Sequence, residues 1–183
     1  MSKTKSYTLF IVSLIALGIF SRFIPHPPNA TAIGALAIFG GFAFRRFFVA
    51  IAILFAALFI SDLAINNIVY ASYNNGFVWF TAGAVFIYGG FMLSIAIGKA
   101  LKSNYSIFGI AGASVLSVVA FFLLTNAGVW VSSPMYPNTF SGLISAYIAA
   151  VPFALNQLAA TLLYSSVLFG AHAVYTRKLP SIA

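Results

Sequence analysis

The chain has 183 residues, 62% of them hydrophobic and 5% charged, with a formal net charge of +8. A water-soluble domain carries about 25% charged residues, so this composition excludes one and makes the bilayer the suitable solvent. The absence of cysteine excludes disulfides, thiolate ligands and thiol nucleophiles. The basic residues stand in pairs between long apolar runs rather than on one helix face, which argues against nucleic acid as a partner.

Six apolar runs follow one another, each limited by charge, Pro, Gly or Asn. The first, Tyr7–Phe20, follows Lys3 and Lys5. Its end, Gly18-Ile19-Phe20-Ser21-Arg22-Phe23, lacks a small-x-small cleavage site, so it reads as a retained span rather than a signal peptide. The segment SRFIPHPPNATAIG comes next. Pro25, Pro27 and Pro28 hold it extended. Asn29 stands where the N-cap of the second run, Thr31–Phe44, belongs, with Thr31 in the first turn. The free N–H groups of that helix end offer a site for an anion or polar ligand. The alternative is a rigid turn in which His26 is merely solvated.

The third run extends from Phe47 to about Asn67 and carries Asp62, the one acidic residue. Asp62 and Asn66 lie one helical turn apart and share a face. A charge at this depth costs about 3 kcal/mol unless it is paired or hydrated, and Arg22 is the cation on the same side. The pair either clamps two spans, or also shapes a ligand pocket. The fourth and fifth runs are Val78–Ile97 and Ile107–Leu124. After them TNAGVWVSSPMYPNTFSG, residues 125–142, reads as irregular. Its Trp130 and Tyr136 suit interfacial anchors or an aromatic lid, and Asn126 lies beside them. Residues 141–151 form either a surface helix or an extension of the last run, with Pro152 as a kink. That run, Pro152–Val174, contains Asn156 and Gln157, which either bond neighbouring helices or line a cavity.

With six spans, Lys3 and Lys5, Arg45 and Arg46, Lys99 and Lys102, and Arg177 and Lys178 share one side. The positive-inside rule makes that side the cytoplasm and places both termini there. These clusters are also suited to anionic lipid head groups. Arg22 is the exception, and it falls on the outer side with Asp62. The expected fold is an all-α membrane protein, residues 1–183 forming a single domain of six transmembrane helices. Gly34, Gly40 and Gly41, then Gly83, Gly89 and Gly90, then Gly109, Gly112 and Ala113 suit close helix contact. There is no phosphate-binding Walker loop, no Ser–His–Asp set and no carboxylate pair. His26 and His172 fall at opposite ends. No enzyme, metal site or cofactor is expected.

SRFIPHPPNATAIGALAIFGG, ISD at 60–62, LLTNAGVW, YPNTFSGL, PFALN and VLFG occur in this order over nearly the whole chain. The set resembles a family of small, uncharacterised bacterial membrane proteins, which in turn looks like the substrate-binding S components of energy-coupling-factor (ECF) vitamin transporters. The resemblance implies an S-component-like bundle in the bacterial cytoplasmic membrane that captures a vitamin-like micronutrient from outside. It also implies a coupling subunit with ATPases, or solitary action. The first span lacks the Ala-x-x-x-Ala pair with which S components dock on that subunit. The expected substrate-binding set is Arg22, His26, Asn29, Asp62, Asn66, Asn126, Trp130, Tyr136 and Asn156. The other class of function is a structural or accessory subunit of a larger complex. An outer pocket favours transport, and a filled interior favours the scaffold.

Overall fold

The computed structural model describes residues 3–178, with side chains placed for 9–174. The described residues form six α-helices and no strand: α1 (Lys3–Phe23), α2 (Ile33–Ala43), α3 (Phe47–Ala64), α4 (Ala84–Ala100), α5 (Ile107–Ser132) and α6 (Phe140–Lys178). α3 runs on into a π-helical turn, Ile65–Val69. Among the described residues four stretches are long and apolar enough to cross a membrane: Phe47–Val69, Ala84–Asn104, Ile107–Ser132 and Phe140–Val174. Leu9–Phe23 and Ile33–Ala43 are shorter apolar helices. Large apolar side chains such as Leu116, Leu163 and Val167 are exposed at mid-helix, which suits hydrocarbon rather than water.

α2 is the hub. It packs against α3, α4, α5 and α6, while α1 lies mainly along α3. Every residue from Ile33 to Gly41 is buried. At 11 residues α2 is only about 16 Å long, about half the hydrocarbon thickness. Both of its ends, at Ala32 and Phe44, are buried in protein, so its short length leaves no backbone end in lipid. Its closest neighbour is α4, and paired glycines permit the approach. A Cβ on Gly41 would collide with the Ile95 carbonyl, and one on Gly98 with the Ile38 carbonyl. Hydroxyls tie the remaining helices, Ser117 of α5 bonding Ser94 of α4 at 2.7 Å. Thr161 of α6 is fully buried with its hydroxyl unbonded. It lies over Gly34, where a Cβ would meet Oγ1 at 2.7 Å.

Two boundaries differ from the sequence reading, and a choice it left open is decided. α4 begins at Ala84 rather than Val78, because the Asn67 amide bonds both backbone groups of Val78, at 2.8 and 2.7 Å, and holds it out of a helix. α5 continues through Ser132. Thr125, Asn126 and Ser132 bond back to the carbonyls of Phe121, Phe122 and Gly128, so their polarity is satisfied inside the helix and does not end it. Residues 141–151 are the start of α6, with Pro152 inside a continuous helix of 39 residues. Thr139 Oγ1 accepts the Gly142 N–H at 3.2 Å near its start, and Tyr147 donates to the Leu123 carbonyl at 2.8 Å, fastening this part to α5.

Charge separates along the bundle. Lys102 reaches the Phe44 carbonyl at 3.4 Å and Lys99 sits 5.5 Å from the Phe47 ring centroid, so the α2–α3 and α4–α5 turns form one basic end. Arg22 and Asp62 lie at the opposite end. The side chains of Lys3, Lys5, Arg177 and Lys178 fall outside the described ones.

Candidate functional site

The site is built around the one acidic side chain. Asp62 is 4% exposed, near the end of α3. Its Oδ1 lies 2.6 Å from Arg22 Nη1 at the end of α1, and its Oδ2 accepts the Tyr88 hydroxyl from α4 at 3.4 Å. Arg22 Nη1 also donates to Ser61 Oγ at 2.5 Å and to the Leu58 carbonyl at 3.3 Å. A buried carboxylate is tolerated only with such partners. The expected pair therefore exists, and it joins α1 to α3. All three contacts use Nη1, which leaves Nη2 and Nε of Arg22 without an acceptor among the described residues.

The proline segment is arranged differently from the expectation at one point. Asn29 is not an N-cap. It adopts a left-handed conformation, φ 65°, which Asn tolerates, within a turn closed by Ala30 N–H to the Pro27 carbonyl at 3.0 Å. α2 starts later, at Ile33, and its N-cap Ala32 has no side-chain bond to offer. Ser21 of α1 accepts the Ala32 N–H instead, at 3.1 Å. No side chain caps the first-turn N–H groups from Ile33 on, and a helix leaves those groups without an intrahelical partner.

Two half-open cavities meet beside this helix end. The first encloses about 370 Å³ and is bordered by Arg22, His26, Asn29, Thr31 and the start of α2, together with Tyr70 and Phe91. The second encloses about 470 Å³ between the start of α4 and the facing parts of α5 and α6, with Phe86, Phe122, Asn126 and Phe153 in its wall. Asn29, Ile87, Phe121 and Gln157 border both. Either volume is in the range of small-molecule sites. The π turn also contributes Ile65 and Val69 to the first cavity, and π turns often mark functional places in a helix.

Of the expected residues, Arg22, His26 and Asn29 border the first cavity, and Asn29 and Asn126 the second. Asp62 stands behind Arg22. Asn66 is turned to the loop after α3, where it bonds Thr81 Oγ1 at 3.0 Å. Trp130 donates to the Pro137 carbonyl at 3.1 Å and closes the α5–α6 turn. Asn156 donates to the Pro28 carbonyl at 3.2 Å and fixes the proline segment on α6. Asn66, Trp130, Tyr136 and Asn156 border neither cavity. The aromatic walls come from Phe121 and its neighbours, not from Trp130 and Tyr136.

The most central polar side chain is Gln157, which is missing from the expected set. Its signal in the sequence was the Asn156-Gln157 pair inside an apolar run, but the choice between the two depends on helix phase. Phe121 gives no signal among 20 phenylalanines. Among the described residues no cluster of His, Asp or Glu is arranged to hold a metal ion.

The model of one family, a family of unknown function (DUF6580), matches residues 2–182. No curated protein and no solved structure matches the chain.

Proposed function

The chain belongs to the DUF6580 family, and for this member we propose a membrane transport protein that binds a small, vitamin-like micronutrient at its outer side and moves it inward. The observation that carries this reading is the pair of cavities meeting at Gln157, bordered by polar groups from α1, the proline segment, α5 and α6. Polar side chains held at membrane depth are costly unless they meet each other, water or a ligand. The basic turns lie at the far end of the bundle, so the positive-inside rule orients the cavities toward the outside of the cytoplasmic membrane. Both termini are then cytoplasmic and six helices cross or enter the bilayer, α2 within the shelter of its neighbours. The chain has no phosphate-binding loop, so active uptake requires a separate energy source. An ECF-type coupling subunit with ATPases fits that need.

Native mass spectrometry of the protein purified from its own membranes tests the proposal. A non-lipid small molecule is expected to remain bound, and to be lost in Gln157→Ala and Phe121→Ala. It should persist in Trp130→Ala, whose side chain borders neither cavity. A bare chain, or one carrying lipid alone, refutes transport and leaves an accessory subunit of a larger complex as the better account.

A further inference from the structure

The first cavity contains polar groups that the fold itself does not use. Gln157 is 5% exposed, borders both cavities, and its amide makes no hydrogen bond with any described residue. Among the described residues the one fully occluded side-chain polar atom without a partner is Thr161 Oγ1, so the unbonded Gln157 amide opens into the cavity space rather than being shut in by packing. The start of α2, with Ile33 and Gly34 in the same cavity wall, has no side-chain cap. Arg22 borders that wall too, anchored through Nη1 and with Nη2 and Nε unused. These are all groups that can donate, and they come from α1, α2 and α6. Acceptors of negative charge are absent from the wall, because Asp62 is the chain's one acidic residue and faces Arg22 Nη1 and Tyr88.

We infer that the cavity takes a small organic carboxylate, held by the open edge of Arg22 and the first N–H groups of α2, with Gln157 bonding the molecule where the two cavities meet. This rests on the binding function proposed above and narrows it to a substrate class. The charge count disfavours a dianion. Asp62 already neutralises Arg22, so the remaining field is that of the helix end, about half a positive charge, plus neutral donors. A phosphate dianion would place more charge beside Asp62 than this field offsets. The Nη2–Nε edge of a guanidinium matches a carboxylate in two parallel hydrogen bonds. The rest of the molecule is largely apolar and flat, because beyond Gln157 the second cavity is walled by Phe86, Phe122 and Phe153, while Thr125, Asn126 and Ser132 in the same wall donate to carbonyls of their own helix.

The test uses thermal melting of the full chain in detergent, with benzoate, 3-phenylpropionate and indole-3-acetate set against their primary amides at millimolar concentration. At least one carboxylate is expected to raise the melting midpoint and its amide to have no effect. Gln157→Glu adds a negative charge to the wall and should abolish the response. Arg22→Lys keeps the pairing with Asp62 but loses the fork, and should weaken binding about tenfold, the value of one charge-assisted hydrogen bond. Equal effects of acids and amides, no response to any acid, or an unchanged response in Gln157→Glu overturns the assignment. Inorganic phosphate and phosphatidylglycerol vesicles are the other arms. If either acts through Gln157 as strongly as the acids do, the site is one for phosphate or lipid and the inference fails. A neutral retained molecule in the mass spectrum sinks the carboxylate and leaves the transport reading standing, whereas lipid alone sinks both.

Discussion

Asp62→Asn is the change whose cost the structure defines best. The carboxylate is 4% exposed and its Oδ1 lies 2.6 Å from Arg22 Nη1. The substitution keeps the shape and removes the charge. Breaking a fully buried pair costs about 3–5 kcal/mol. Here the Arg22 side chain is 20% exposed and keeps Ser61 and the Leu58 carbonyl as acceptors, so about 2–3 kcal/mol is the better figure once solvent screening is included. A chain of this size loses roughly 2–4 °C of melting temperature per kcal/mol, giving a drop of about 4–12 °C. Fluorescence of the two tryptophans during heating in detergent reads it. The double change Arg22→Gln with Asp62→Asn leaves two neutral polar groups in contact and should recover at least half of the loss. That recovery is a coupling of about 1 kcal/mol or more. If the two single losses simply add, the residues do not stabilise each other and the clamp between α1 and α3 is not an energetic one.

Other substitutions follow from the packing. Gly98→Ala should prevent accumulation of folded protein in the membrane, because its Cβ meets the Ile38 carbonyl, whereas Gly112→Ala, with open space around it, should leave yield and melting unchanged. Thr161→Val should be neutral or slightly stabilising in the same melt, since the hydroxyl it removes is buried and unbonded. Gly128→Ala should displace the Phe86 ring that packs on it and weaken small-molecule binding more than it lowers stability. Cysteines placed at Lys3 and Arg177 should react in intact cells with membrane-permeant reagents alone, and one at Asn75 with impermeant reagents as well. Opposite labelling of the two termini would refute the orientation.

The Arg22–Asp62 contact was legible because charge is so scarce. A lone acid and a lone cation on one side of the bilayer have no other partner of opposite sign. The close crossing of α2 and α4 was half legible. Gly41 stood out, but its counterpart Gly98 did not, because which glycine meets a backbone depends on how the two helices cross. Asn29 carried the residue type of an N-cap, yet the role fell to Ser21, which reaches α2 because α1 ends beside it. Local propensity could not foresee that tertiary contact. Gln157 and Asn156 are adjacent and chemically alike. One reaches the cavity and the other the proline segment, and the difference is the rotation of a helix whose start, Phe140, had been read as part of a loop. The polar run at 125–132 looked irregular because its hydroxyls and amide suggested solvent, while in the structure they bond their own helix.

The direct test of the outward binding cavity is an experimental density map of the protein purified without added ligand. The account predicts a compact, non-lipid feature between Arg22, Gln157 and Phe121, with space continuing toward Phe86 and Phe153. Side chains packed through both cavities, or an acyl chain threading them from the bilayer, would contradict it.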